Sequence, residues 1–402
     1  MHVGDKRRAL VIGGSLGGLF AGLLLRQAGW HVDIYERVAG ELSGRGAGIV
    51  VQPILIERLR ALGLDPADLG VAVETRKLFD AQGRVAATYR CPQIFTAWER
   101  IYRFLRDAFP GEHYHRGKAL TGFAQGASSV VAAFSDGSEA KADLLVGADG
   151  IRSTVRHICL PELAPQYVGY VAWRALLDER DFPPVVHAEL FPFMSFGLPP
   201  GEQFLGYPVA GADNDLRAGH RRYNVIWYRP AEERTALADL LTDAQGVKHE
   251  TSIPPTLIRR EKIEELRTAA QRLGRQLREV VDLIGEPLLQ PIYDLETPRM
   301  AFGRVAILGD AAFVARPHVA AGVTKAADDA AALATALGGG SDVEAALRSF
   351  ERERLADNRR IIERARHLGA YLQATKTAEE LARSQRHSIP EAVLAETAVL
   401  NF

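Results

Sequence analysis

Cysteine is scarce: in 402 residues the chain has only Cys91 and Cys159. Two thiols far apart, with no Cys-x-x-Cys and no Cys/His ligand spacing, exclude a disulfide scaffold and a thiolate metal site, and no bound metal is expected. They read as ordinary thiols of a reducing compartment. An excess of one charge is missing as well, since 49 Lys and Arg stand against 50 Asp and Glu. That balance gives no basic footprint for nucleic acid and suits a small neutral or weakly anionic partner. No run approaches the roughly 18 consecutive apolar residues of a membrane span, so no integral membrane association is expected. The start, Met1 to Arg8, is short and mixed in charge and does not read as a leader, which makes a cytoplasmic location the expectation.

What is present is length and pattern. A chain of 402 residues exceeds one ordinary hydrophobic core and leaves room for two or three domains and a deep pocket. No internal repeat occurs, and no low-complexity stretch is longer than the Gly338-Gly339-Gly340 linker. Residues 8–36 read as strand, glycine turn, helix and strand, a βαβ unit. Val130–Phe134, a turn at Asp136-Gly137 and Ala142–Val146 read as a hairpin and a buried strand that ends at Gly147-Ala148-Asp149-Gly150.

From about 165 to 230 aromatic residues accumulate, which predicts an antiparallel sheet with one covered face. Residues 257–284 carry Ile263, Leu266, Ala270, Leu273, Leu277, Val280 and Ile284 at helical spacing, the stripe of one amphipathic helix. Arg304–Leu308 is a further apolar strand leading into Gly309-Asp310, and Val323–Leu337 is an alanine-rich helix. Val343–Gln373 mixes charges of both signs, as a solvated helix face does.

Gly13-Gly14-Ser15-Leu16-Gly17-Gly18 lies between a buried strand and a helix, where a dinucleotide fingerprint belongs. Bare backbone there lets a pyrophosphate reach the first helical N–H groups, and the helix dipole favours its charge. Glu36 ends the second strand, the place for a carboxylate that accepts ribose hydroxyls and repels a 2′-phosphate. Arg37 follows it. Ser15 stands where the strict G-x-G-x-x-G spacing has its central glycine.

Three separated segments together resemble the FAD-dependent aromatic hydroxylases, the single-component flavoprotein monooxygenases. Besides the fingerprint, Gly147-Ala148-Asp149-Gly150-Ile151-Arg152-Ser153-Thr154-Val155-Arg156 is similar to their G-A-D-G-x-x-S-x-V-R motif. Gly309-Asp310-Ala311-Ala312, with Pro317, Gly322 and Asp328-Asp329-Ala330, is similar to their second flavin motif. The resemblance implies an α/β fold: a Rossmann-like FAD-binding domain with an inserted antiparallel β-sheet substrate domain and C-terminal helices. The expected division is 1–164 and 291–340 for the FAD-binding domain, 165–290 for the substrate domain and 341–402 for the helical end.

The resemblance also implies non-covalent FAD, held by Gly13, Gly14, Ser15, Leu16, Gly18, Glu36, Arg37, Asp149, Gly150 and Asp310, and by the loop Ala320, Ala321, Gly322 and Val323 beside the flavin ring. Arg152 and Arg156 either approach flavin and nicotinamide or make ion pairs, and Asp149 either approaches FAD or caps a turn. Phe313, Ala320 and Thr324 depart from the usual His, Gly and Asn. The helix that often starts with a pyrophosphate-binding arginine starts at Trp98, which passes that duty to Arg100 or Arg103.

Tyr170–Arg174, Arg221–Arg229 and Arg316–Lys325 resemble a narrower branch that hydroxylates dihydroxypyridines in bacterial nicotine breakdown. By that resemblance NADH and O2 are co-substrates, a flavin C4a-hydroperoxide carries the oxygen, and 2,6-dihydroxypyridine becomes 2,3,6-trihydroxypyridine; a homodimer is possible. His318 is the leading base or substrate contact, with an imidazole expected to titrate near neutral pH. Pro317, Tyr207, Tyr223 and Trp227 are the expected pocket wall; His187 and His220 are lesser candidates. A benzoate-like substrate would instead need an arginine, Arg221 or Arg222, aimed inward. A flavin-binding protein without turnover is the remaining alternative.

Overall fold

Short apolar runs that are buried on both faces pair best in parallel, covered by helices. In the computed structural model, which describes residues 7–42, 48–339 and 342–400, Arg8–Ile12 lies between Leu144–Gly147 and His31–Glu36, and both pairings are parallel. Val305–Ile307 and Tyr114–Arg116 extend this sheet at either side, and Ala301–Phe302 adds an antiparallel edge, making six strands among the described residues. The helix Leu16–Gln27 packs against Gly322–Gly338. Most of the leader reading at the start and the last glycine of the predicted linker lie outside the described residues.

The predicted hairpin strand Val130–Phe134 pairs with Leu120–Gln125 on one side and Glu139–Ala142 on the other. The larger sheet draws on more of the chain than residues 165–290. Its order is Phe313–Val314, Leu288–Glu296, Gln166–Asp178, Arg222–Pro230, Gln203–Val209, Phe193–Gly197, Val71–Phe79, Val85–Ala97, Gly48–Val51. It is mixed, because Phe193–Gly197 runs parallel to Val71–Phe79.

Both faces of the larger sheet are covered, where one was expected. Val171, Trp173, Phe204, Tyr223, Val225 and Trp227 meet Leu266, Leu273, Leu277 and Val280 on one side. Tyr170, Ala172, Leu205, Tyr207, Ile226 and Tyr228 meet Tyr371, Leu372, Val393 and Leu394 on the other. Aromatic side chains thus point alternately to a helical layer and to a second layer formed late in the chain.

The helical layer is not one helix over 257–284. It breaks into Arg260–Ala269 and Arg275–Asp282, because Leu273 is extended and Gly274 crosses so close to another loop that a Cβ would sit 2.7 Å from the Asp80 carbonyl oxygen. The stripe survives the break, with Leu266, Leu273, Leu277 and Val280 all buried. Val343–Gly369 is a single 27-residue helix. Among the described residues no helix is long and apolar enough to cross a membrane.

Candidate functional site

Parallel strands direct their carboxyl ends to one edge, and ligands of such sheets sit beyond it. Here that edge opens on a cavity of about 580 Å³ lined by Gly13, Ser15, Glu36, Arg37, Asp149, Gly150, Arg152 and Asp310. Gly13 has φ +104°. A Cβ on Gly18 would lie 1.8 Å from the Gly13 carbonyl oxygen, and one on Gly14 would lie 2.2 Å from the Tyr114 hydroxyl, which donates to the Gly14 carbonyl at 2.8 Å. The loop is bare first because its own packing demands it. Ser15 stands at the helix N-cap without a side-chain bond and lines the cavity, whereas Leu16 is buried beneath it and is not in the cavity wall.

Glu36 is 7% exposed and ties the loop to its strand. One carboxylate oxygen accepts the Gly14 N–H at 2.8 Å and the other the Val38 N–H at 2.9 Å. Each oxygen keeps a lone pair for a ribose hydroxyl. Asp149 accepts the Thr154 N–H at 2.7 Å and the Ser153 hydroxyl, so it caps the helix Thr154–Cys159 while also lining the cavity. Arg156 points elsewhere, donating to the carbonyls of Ile151 at 2.6 Å and Ala311 at 3.1 Å; it fastens the second cofactor segment to the third. Within that third segment Asp329 accepts the Gly309 N–H at 3.0 Å.

Neither proposed pyrophosphate arginine reaches this cavity. Arg103 donates to Glu99 at 2.8 Å and Asp213 at 2.9 Å, and the Arg100 guanidinium lies over Phe104 at 4.6 Å. The helix does begin at Trp98, but positions 100 and 103 fall on other faces of it, and Trp98 itself lines the cavity. The cations at the wall are Arg37, Lys118 and Arg152.

A second cavity of about 510 Å³ meets the first at Trp98 and Asp310. Tyr207, Pro317, His318, Ala320, Ala321, Gly322 and Val323 line it, as do Arg174, Ile226 and Tyr228. Tyr223 and Trp227 do not: both are buried in the opposite, helical layer. On the strand Arg222–Pro230 the pocket face carries the even positions, because Tyr207 stands opposite Asn224 and Leu205 opposite Ile226. A separate cavity of about 530 Å³ shares Arg316 with it, has carboxylates in its wall and holds none of the predicted residues.

His318 is 2% exposed. Its Nε2 is 2.9 Å from the Tyr170 hydroxyl, its ring lies 4.3 Å from that of Tyr228, and its Nδ1 has no hydrogen-bond partner among the described residues. Burial, helped by the neighbouring Arg316 cation, pushes its pKa down to about 3. The expectation of titration near neutrality is therefore overturned: the imidazole is neutral throughout the working range. Arg316 is held by Asp294 at 2.9 Å and Gln373 at 2.8 Å. His187 binds Glu179 at 2.7 Å and His220 is exposed beside Asp215. Arg221 forks onto Glu179, and Arg222 points to the Ala210 and Gly211 carbonyls. None of the four lines either large cavity.

Four residues were missed. Arg174, whose Nη1 donates to Gln290 at 2.8 Å, and Tyr228 were both visible in the strand alternation. Ala398 lines the second cavity. Its N–H donates to the His318 carbonyl at 2.7 Å, and its own carbonyl accepts from Gln52 at 3.1 Å and Gln93 at 2.8 Å. No local signal announces that contact. Lys325 is fully buried with its ammonium 3.6 Å from Asp310, where its alanine-rich helix suggested only packing.

These features fit FAD. A bare loop at a helix N-terminus suits a pyrophosphate, and a buried carboxylate at the second strand's end suits ribose hydroxyls. A second helix N-terminus, at Gly322, faces the adjoining cavity.

A family model described as FAD binding domain matches residues 6–161 and 291–365, and another described as FAD binding domain-like matches 167–294. The chain is 34% identical to 2,6-dihydroxypyridine 3-monooxygenase of Paenarthrobacter nicotinovorans, covering 91% of each protein. It is 30% identical to 3-amino-4-hydroxybenzoate 2-monooxygenase of Streptomyces cremeus, covering 90% of this chain and 86% of the other. The solved structure of 2,6-dihydroxypyridine-3-hydroxylase from Arthrobacter nicotinovorans matches with a TM-score of 0.87 at 33% identity, over 93% of this chain and 94% of that one. Klebsiella pneumoniae HpxO, complexed with FAD and uric acid, shares the fold with a TM-score of 0.76 at 22% identity, over 97% of this chain and 93% of that one. The chain belongs to the FAD binding domain family and is an FAD-dependent aromatic-ring monooxygenase.

Proposed function

We propose that the protein uses NADH and O2 to hydroxylate an electron-rich hydroxypyridine, converting 2,6-dihydroxypyridine to 2,3,6-trihydroxypyridine. The observation that carries this reading is the second cavity's wall, where Arg174 and His318 line one cavity with Tyr207 and Tyr228. A planar ring bearing an ionised hydroxyl is the partner that such a wall accepts.

When bound, FAD supplies electron transfer from reduced nicotinamide and the activation of O2. The chain's own residues bind, orient and exclude water. Burial pushes the Tyr170 hydroxyl well above its ordinary pKa, so Tyr170 stays protonated and needs an acceptor, which is His318 Nε2. The hydrogen of the neutral imidazole then resides on Nδ1. His318 thus acts as the acceptor that holds Tyr170 rather than as a strong base, and Arg174 favours the ionised form of the substrate hydroxyl. Gly322 starts a helix whose positive end faces the cavity and favours negative charge there. Lys325, buried, lies 3.6 Å from Asp310 at the junction of the two cavities.

Aerobic NADH consumption by the yellow protein, measured across dihydroxypyridines and hydroxybenzoates with product identification, tests the reading. Stimulation by 2,6-dihydroxypyridine with gain of one oxygen atom is expected, and absence of stimulation by every hydroxypyridine overturns it. Arg174 also favours a second reading, because a guanidinium in the wall accepts a carboxylate, and the Streptomyces cremeus relative is named for an aminohydroxybenzoate. The same panel separates the two.

A further inference from the structure

At the start of the strand whose other end carries Glu36, three imidazoles surround one carboxylate. His31 and Asp33 are two positions apart on His31–Glu36 and so share a face. Tyr114–Arg116 runs parallel beside it, with Ile34 opposite Tyr114 and Tyr35 opposite His115, which brings His113 and His115 to that face too. Asp33 lies 3.4 Å from His31 Nε2, 3.0 Å from His113 Nδ1 and 3.1 Å from His115 Nε2. One ligand atom each from His31, Asp33 and His113 falls within 4.8 Å of the other two. Asp33, at the centre of the group, is separated from Glu36, at the cofactor cavity, by about 10 Å of strand.

The cluster has the form of a cup. The Asp33 side chain is 8% exposed at its base, while those of His31 and His113 are 35% and 22% exposed at its rim, so an ion has a way in. Metal–ligand bonds of about 2.0–2.2 Å place neighbouring donors roughly 3–3.5 Å apart, so closure asks for small side-chain movements. Two imidazoles and one carboxylate, without thiolate and without a carboxylate cage, select borderline divalent ions over Cu(I), Ca²⁺ or Mg²⁺. Arg8 is a peripheral competitor, 3.4 Å from the outer carboxylate oxygen with its side chain 54% exposed, and it is free to swing into solvent.

We propose that His31, Asp33 and His113 bind a borderline divalent cation of the Zn²⁺ class, with His115 hydrogen-bonding the carboxylate and water completing the coordination. The ion would strap the edge strand Tyr114–Arg116 to the strand that delivers Glu36. The cysteine-based expectation of no metal does not reach this set, whose H-x-D and H-x-H pairs lie some eighty residues apart.

The test is calorimetric titration of the chelator-treated flavoprotein with ZnCl2, paired with thermal melting. One equivalent per chain is expected, with a melting temperature raised by several degrees at saturation. His113→Ala and His31→Gln should each weaken binding at least about tenfold, and His220→Ala, at an exposed imidazole elsewhere, should leave it unchanged. His31→Gln, at a half-buried strand start, guards against a folding defect in His113→Ala. With Cu²⁺ as a probe, electron paramagnetic resonance should show nitrogen coupling that His113→Ala diminishes. Binding that survives both substitutions, or no stoichiometric Zn²⁺ binding to the parent protein, overturns the proposal and leaves a hydrogen-bonded cluster only. Substrate-stimulated NADH consumption is unaffected in either case.

Discussion

The two cavities that meet at Trp98 and Asp310 are built from different material. The cofactor crevice joins a bare backbone loop, Gly13–Gly18, to short contiguous segments, Tyr35–Val38, Lys118–Leu120 and Ala148–Arg152. The second cavity is made of side chains from strands and loops as far apart as Ile49, Arg174, Tyr228, His318 and Ala398. A backbone site fails when a Cβ is added. A side-chain site fails when a single group is removed, and the rest of the wall remains.

The sharpest break of that contrast is Gly18→Ala. Its Cβ would stand 1.8 Å from the Gly13 carbonyl oxygen, so the loop must move, at a cost of about 3 kcal/mol. The expected result is protein purified largely without flavin, read from the ratio of visible to ultraviolet absorbance. Full flavin content would show that close approach is not what shapes the crevice.

His318→Asn is the matching break in the other cavity. It should lower coupled hydroxylation about tenfold, the scale of one lost buried hydrogen bond, because Tyr170 loses its imidazole partner behind the cavity wall, with flavin content intact. It also carries a pH signature. The folded pKa of about 3 lies below the ordinary 6.5 of histidine, so between those values the unfolded chain binds the extra proton. This group therefore stabilises the fold above pH 6.5, and its contribution falls as pH drops toward 3, by up to about 1.4 kcal/mol per pH unit. The variant should lack that part of the slope in melts across pH 4–6.5. An unchanged slope would place a charged imidazole in the folded protein and remove the acceptor role of Nε2 toward Tyr170.

Gln93→Leu sharpens the comparison where the last residues form the wall. Gln93 donates to the Ala398 carbonyl at 2.8 Å and accepts from Arg76 at 2.6 Å, and Arg76 donates to the Leu394 carbonyl at 2.5 Å. Losing this link should cost about 2 kcal/mol and raise the fraction of O2 consumed without hydroxylated product, because the cavity admits water. A stable, fully coupled variant would make residues 397–400 mere packing.

The contrast also explains what was legible beforehand. The backbone crevice could be read because each of its pieces is contiguous and has local geometry: strand, bare turn, helix start, then a carboxylate at the next strand's end. Even there Arg103 misled, since a position in a motif does not reveal which face of the helix Trp98–Ala108 turns inward. In the second cavity, composition located the aromatic strands, but alternation decides which half faces the pocket. Register between strands is set by long-range pairing, so Tyr223 and Trp227 were taken for Ile226 and Tyr228. Neutralisation of His318 and the return of Ala398 depend on burial by distant segments, which no local pattern encodes.

Ala320 is where the two kinds of site overlap. It lines the side-chain cavity, yet its φ of +50° is a backbone demand that the family's usual glycine meets without cost. An L-residue in this conformation gives up about 1 kcal/mol. Ala320→Gly removes that strain, but it also adds freedom to the unfolded chain, worth about 0.5–1 kcal/mol in the opposite direction, and it removes a methyl packed against the aromatic layer. The terms nearly cancel, so the melting temperature should move by no more than about 2 °C, while the KM for the aromatic substrate rises because the wall has lost a contact. A stabilisation well beyond that, with KM unchanged, would show that the alanine only strains the loop and that the cavity wall here is backbone alone.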